Sequence, residues 1–178
     1  MGKRMKPSKG DIISIPLSEC LFGFGQIISS YDKVSGGFMM AVFNYQADSL
    51  NGILNSDICN SSILFLGFTF DAKLYHKHWS IIGNHLENIE KIKTPYFKLG
   101  TLPGPLFITD LEGNRLASIS EDIFYELNYR SDIAPIRYEN ALKAYSGLQE
   151  WIKEDYDILL YKHTLKSNKI AEKVLSGA

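Results

Sequence analysis

Gly10-Asp11-Ile12-Ile13-Ser14-Ile15-Pro16-Leu17, followed by Phe22-Gly23-Phe24-Gly25-Gln26-Ile27-Ile28, reads as two short strands joined by a tight connection. Ile13, Ile15 and Leu17 fall on one face at the strand period of two. Pro16 has no amide hydrogen to give a ladder, which puts the first strand at an edge or ends it there. The second strand opens aromatic-Gly-aromatic-Gly, and glycine inside a strand marks a bulge or a sharp bend. A bent hairpin of this kind begins a small curled sheet or a partial barrel. It is an architectural signal and carries no catalytic group.

Further along, Gly36-Gly37 is a turn that leads into a third strand over Phe38–Tyr45. Residues 46–61 are polar and hold at most one short helical turn. Ile63–Phe70 is nearly apolar throughout, the pattern of a strand buried on both faces at the centre of a sheet. Trp79–Asn84 reads as a strand ended by a Gly-Asn turn. Lys93–Pro105, with three prolines and two glycines, reads as a long surface loop. Leu106–Thr109 and Arg115–Ile119 form a hairpin around Asp110–Asn114.

Helix signals come last. Ser120 before Glu121 and Asp122 is an N-cap with acids in the first turn. After Pro135, a face of Tyr138, Ala141, Leu142, Tyr145, Leu148, Gln149 and Ile152, with Trp151 alongside, predicts a long helix. Gly147 weakens it by about 1 kcal/mol and bends it. The expected fold is α+β: a bent, mainly antiparallel sheet closing toward a partial barrel, with helices from the C-terminal third. A single domain is expected over residues 8–165, with residues 1–7 and 166–178 as flexible termini.

At 178 residues, 45% hydrophobic and 22% charged, the chain has an ordinary soluble composition. A chain of this length buries about 70% of its unfolded surface and needs no metal or disulfide to fold. Cys20 and Cys59 stand outside any CxxC motif and read as reduced structural residues. No apolar core follows the basic start, and no run reaches the ~18 apolar residues of a membrane span. Cytoplasm is the expected compartment, with no membrane partner.

Charge is distributed unevenly. Asp110 to Asp157 carries eleven acidic residues against five basic ones, whereas the first nine residues hold four basic side chains and the last eighteen hold four lysines. A basic head, a basic tail and an acidic second half argue against a nucleic-acid groove and permit an acidic docking face.

Signals for chemistry are sparse. His76-x-His78, with His85 nearby, is the one cluster resembling a metal site, since residues at i and i+2 on a strand point the same way. Asp71, Glu87 and Glu90 stand in no ligand motif beside it, and exposed histidines flanked by Lys73 and Lys77 are the commoner outcome. There is no GxSxG elbow or GxxxxGK[ST] loop, and Gly23-x-Gly25 lacks the third glycine of a dinucleotide fingerprint. Phe22-Gly-Phe24-Gly has the look of a base-stacking strand, but the accompanying basic residues are missing. Glu121, Asp122 and Glu126 line one helix surface while Ile123 and Leu127 face inward.

Gly10-Asp11 with Ile15-Pro16-Leu17, then Phe22-Gly23-Phe24-Gly25-Gln26-Ile27, and later Trp79-Ser80-Ile81-Ile82-Gly83-Asn84, resemble immunity protein family 26 of bacterial polymorphic toxin systems over residues 8–97. These motifs are fold determinants and transfer no catalytic residue. The resemblance implies a cytoplasmic, non-enzymatic antidote, without a cofactor or metal. It would bind a cognate toxin 1:1, often the C-terminal effector domain of a contact-dependent inhibition protein, with a nuclease among the activities such a toxin carries. Some relatives carry a phosphotriesterase label, but the chain is too short for that ~250-residue barrel. The rival readings are a small metal-dependent hydrolase and a small-barrel nucleic-acid or regulatory module. The toxin-binding candidates are Asp110, Glu112, Glu121, Asp122, Tyr125, Glu126 and Tyr129.

Overall fold

The computed structural model describes residues 6–32 and 36–177. They form two compact units, one from the described residues up to Lys91 with Asp132–Leu160, the other from Ile92–Ser131 with Tyr161 onward. Part of the basic head, and Ala178 of the expected flexible tail, lie outside the described residues.

The first unit is an antiparallel sheet of β1 (Asp11–Ser18), β2 (Leu21–Ile27), β3 (Gly37–Ala47), β4 (Ile63–Phe70) and β5 (Ser80–Asn84), in the order β4-β3-β2-β1-β5. It is open at both ends, so the closure toward a barrel does not occur. The opening hairpin forms as read, with Ile13 opposite Gly25 and Ile15 opposite Gly23. Pro16 behaves as a local edge residue inside an interior strand: β5 pairs with β1 only as far as Ser14, leaving nothing on that side for a proline amide to meet. The irregularity expected at the glycines is present between Gly23 and Phe24, where the ladder against β3 slips. The extra residues, Asn44 and Tyr45, lie on β3.

Ile13, Ile15 and Leu17 enter one core with Ile27, Phe38, Met40, Val42, Phe65 and Trp79. That core is completed by Tyr138, Ala141 and Leu142 of α4 (Pro135–Tyr145). Ile12, Phe24, Met39 and Phe43 are also fully buried, which accounts for apolar residues on both faces of β1 to β3.

Three expectations are corrected here. β4 is an edge strand, not a central one. Its apolar run is explained by cover from later chain: Phe65 bridges to Leu160, Phe68 bridges to Asp132, and the Ile133 amide donates to the Phe68 carbonyl at 3.0 Å. The helix after Pro135 also stops early. Gly147 takes φ +74°, a left-handed conformation that ends α4 rather than bending it. Leu148, Gln149 and Ile152 therefore lie beyond the helix, and the Gln149 amide instead donates to the Asn140 carbonyl and the Tyr156 hydroxyl. Gly83 and Asn84 are paired strand residues, not a turn, with Asn84 opposite Asp11. The shorter helices of this unit are α1 (Asn55–Asn60), α2 (Ala72–Tyr75) and α5 (Lys153–Tyr156).

The second unit holds an antiparallel sheet of β6 (Phe97–Leu99), β7 (Phe107–Thr109) and β8 (Arg115–Ser118), with α3 (Glu121–Glu126) and α6 (Tyr161–Leu175). β6 lies inside the stretch read as loop; its three residues are too few to show a periodicity. Ile108, Leu127 and Ala171 are its buried centre, with Ala117, Ile119, Ile123 and Ile170 packed around them. Residues 166–175 are helical, and their polar composition hides a buried stripe of Ser167, Asn168 and Ala171.

Candidate functional site

All seven candidate residues belong to the second unit. Ser120 precedes α3 in extended conformation and its carbonyl accepts the Phe124 amide at 3.0 Å, but its hydroxyl makes no capping bond. Burial of Phe124 and Leu127, with Ile123 half-buried, fixes which way the helix faces. Glu121, Asp122, Tyr125 and Glu126 are consequently exposed, Tyr125 at 65%. Local desolvation and the Glu121 carboxylate, acting by charge and by hydrogen bond, push the Tyr125 hydroxyl above its ordinary range. It therefore stays a neutral donor and acceptor.

Tyr129 is exposed but held. Its hydroxyl donates to the Gly100 carbonyl at 2.9 Å, and its ring meets Phe124 edge-on at 5.7 Å. Lys98 sits between these rings, its Nζ 4.4 Å from the Phe124 centroid and 4.8 Å from that of Tyr129, while donating to the Phe124 carbonyl at 3.1 Å. One ammonium thus stabilises two aromatic faces and a carbonyl near the end of α3.

Asp110 and Glu112 lie on the turn between β7 and β8. The Asp110 carboxylate accepts the Asn114 amide and side chain, each at 2.8 Å. Burial acts to raise its pKa, but hydrogen bonds from Asn114, Glu112 and Gly113 outweigh that and hold it below the ordinary value. Arg130 donates to the Leu111 carbonyl at 3.1 Å, tying this turn to the residue that follows Tyr129. The acidic run is divided between the two units. Its members from Asp132 onward belong to the first unit, and the second unit holds eight basic side chains against six acidic ones. Lys166 of α6 approaches Glu126 at 4.0 Å.

The histidines do not converge on a strand. His76 caps α2, Lys77 turns the chain with φ +57°, and the exposed rings of His76 and His78 stand 6.4 Å apart. His85 donates its amide to Gly10 across the sheet. Among the described residues no group of three His, Cys, Asp or Glu is placed to hold a metal ion.

Sequence reasoning missed Glu139. It is buried in the first unit, where Oε2 accepts Trp79 Nε1 at 3.2 Å and Lys73 Nζ at 2.9 Å, and Oε1 accepts Lys143 Nζ at 2.8 Å. Burial alone would raise its pKa; the bonds from Lys143, Lys73 and Trp79 outweigh it and carry the pKa below the ordinary value. The signal was a carboxylate immediately after Tyr138, on the edge of the apolar stripe.

Tyrosine is enriched at protein interfaces, and the second unit exposes Tyr125 and Tyr129. The family model for Immunity protein 26 matches residues 8–102, more than half of the chain, and the chain belongs to that family. The family places it among immunity proteins, which act against toxins. The match spans the five-stranded sheet and β6, and stops before every candidate residue. No curated protein and no solved structure matches the chain. No helix among the described residues is long and apolar enough to cross a membrane.

Proposed function

We propose that this chain neutralises one cognate bacterial toxin domain by direct 1:1 association in the cytoplasm, without catalysis, cofactor or nucleic acid. The toxin is the C-terminal effector domain of a contact-dependent inhibition or other polymorphic toxin protein, and its activity is that of a nuclease. The observation that carries the reading is the family match over residues 8–102. Glu121, Asp122, Tyr125, Glu126 and Tyr129, with Asp110 and Glu112 on the neighbouring turn, form the contact surface. A nuclease presents basic groups to nucleic acid, and exposed carboxylates speed encounter with such a surface and reject other partners. Tyr125 and Tyr129 add large, low-entropy contact area at its centre.

Co-expression with the toxin domain encoded in the neighbouring reading frame tests this. Growth is expected to be restored and a 1:1 complex to co-purify; neither protection nor binding would overturn the reading.

A further inference from the structure

Among the described residues two sheets present four edge strands; backbone bridges cover two of them and a side chain touches the end of a third. β4 is bridged by Asp132 and Leu160. β6 is bridged at Lys98 by Tyr129, and the Lys98 amide donates to the Asn128 carbonyl at 3.0 Å. β5 carries Asn55, whose amide reaches the Asn84 carbonyl at 3.4 Å and whose side chain lies against Gly83. β8 differs. Among the described residues no strand, bridge or side chain pairs its outer side, and Arg115, Leu116 and Ser118 are exposed, Leu116 at 40%.

The register fixes which groups are left open. The Ile119 amide bonds to the Leu106 carbonyl and Phe107 stands opposite Ser118. In an antiparallel ladder this makes Ser118 a non-hydrogen-bonded position, so its N–H and C=O point away from β7. Such groups are a template for another strand. The bulge between Ile108 and Thr109 leaves Leu116 as the extra residue, outside the ladder.

We propose that the outer edge of β8 receives an extended segment of the toxin as an added strand, with Lys or Arg side chains directed at the carboxylates flanking either end. This rests on the immunity reading. The occupant follows from charge: β8 itself is four residues or ~13 Å long, Glu112 and Asp110 lie three and five positions before it, and Glu121 and Asp122 lie three and four positions after it. Arg115, on the strand itself, keeps its charge, with its guanidinium drawn over the Phe107 ring at 4.6 Å from the centroid. Main-chain pairing supplies affinity here and the flanking acids set which strand is accepted.

Hydrogen exchange on the wild-type chain, free and mixed with the co-expressed toxin domain, tests this without a variant. The outward-facing Ser118 amide of β8 is expected to slow about tenfold or more in the complex. Ser118→Pro, which removes an outward N–H, should weaken binding about tenfold or more, while Ser118→Ala leaves it within about twofold. A complex whose Ser118 amide exchanges as in the free chain overturns this inference and leaves the immunity reading standing. No complex at all removes both. Self-association of the wild-type chain that protects β8, and is abolished by Ser118→Pro, would give the edge to a second copy and overturn the toxin as occupant.

Discussion

Trp79 Nε1 donates to Glu139 Oε2 at 3.2 Å, joining the residue just before β5, inside the family-matched region, to a helix 60 positions later that the family model does not cover. The same carboxylate holds Lys73 and Lys143. Glu139→Ala should therefore leave the buried indole N–H without its acceptor and cost about 1–3 kcal/mol. Chemical denaturation followed by Trp fluorescence measures the loss.

The pH dependence follows from the same group. Its folded pKa lies below the unfolded value, so the stability it contributes is complete above the unfolded pKa of about 4.3 and is lost as pH falls through the folded value. The acid limb of a stability–pH profile should be shallower in Glu139→Gln than in wild type. Superimposable acid limbs would mean that other carboxylates dominate.

A Cβ at Gly25 would meet Met40 Sδ at 3.0 Å and the Ala41 carbonyl oxygen at 3.2 Å, closer than ordinary contacts, and the second of these is backbone of the strand ladder. Gly25→Val should lower stability by about 2 kcal/mol or more. An unchanged denaturation midpoint would show that β2 and β3 separate freely at this point.

Charge reversal of Glu121, Asp122 and Glu126 together should slow association with the toxin domain, with salt now relieving the new repulsion. These side chains are exposed on α3, so the folded state should be retained. Stopped-flow binding at two ionic strengths separates the effect from misfolding. Unchanged association rates would move the contact surface away from α3.

The hairpin, the Phe38–Tyr45 strand and the buried stripe Tyr138–Ala141–Leu142 were legible because period-two and period-3.6 patterns are local. The status of β4 was not, because a both-faces-apolar strand looks the same whether a sixth strand or a returning segment such as Asp132–Ile133 covers it. Gly147 was seen as a weak point, but only its positive φ distinguishes an end from a bend. The acidic candidates were visible as a run along the chain. Their division between two units was not, because proximity in sequence does not report which compact unit a carboxylate joins.

The cover of the β1–β5 sheet arrives late in synthesis. After β5 is complete, about 60 further residues must be made before Leu142 exists to close the core over Ile13, Ile15 and Leu17. At ordinary translation rates of about 5–20 residues per second, that leaves an apolar sheet face open on the ribosome for about 3–12 seconds. A nascent chain in this state exposes apolar surface that favours aggregation, and a protein needed as a ready antidote depends on that interval being survived each time it is made.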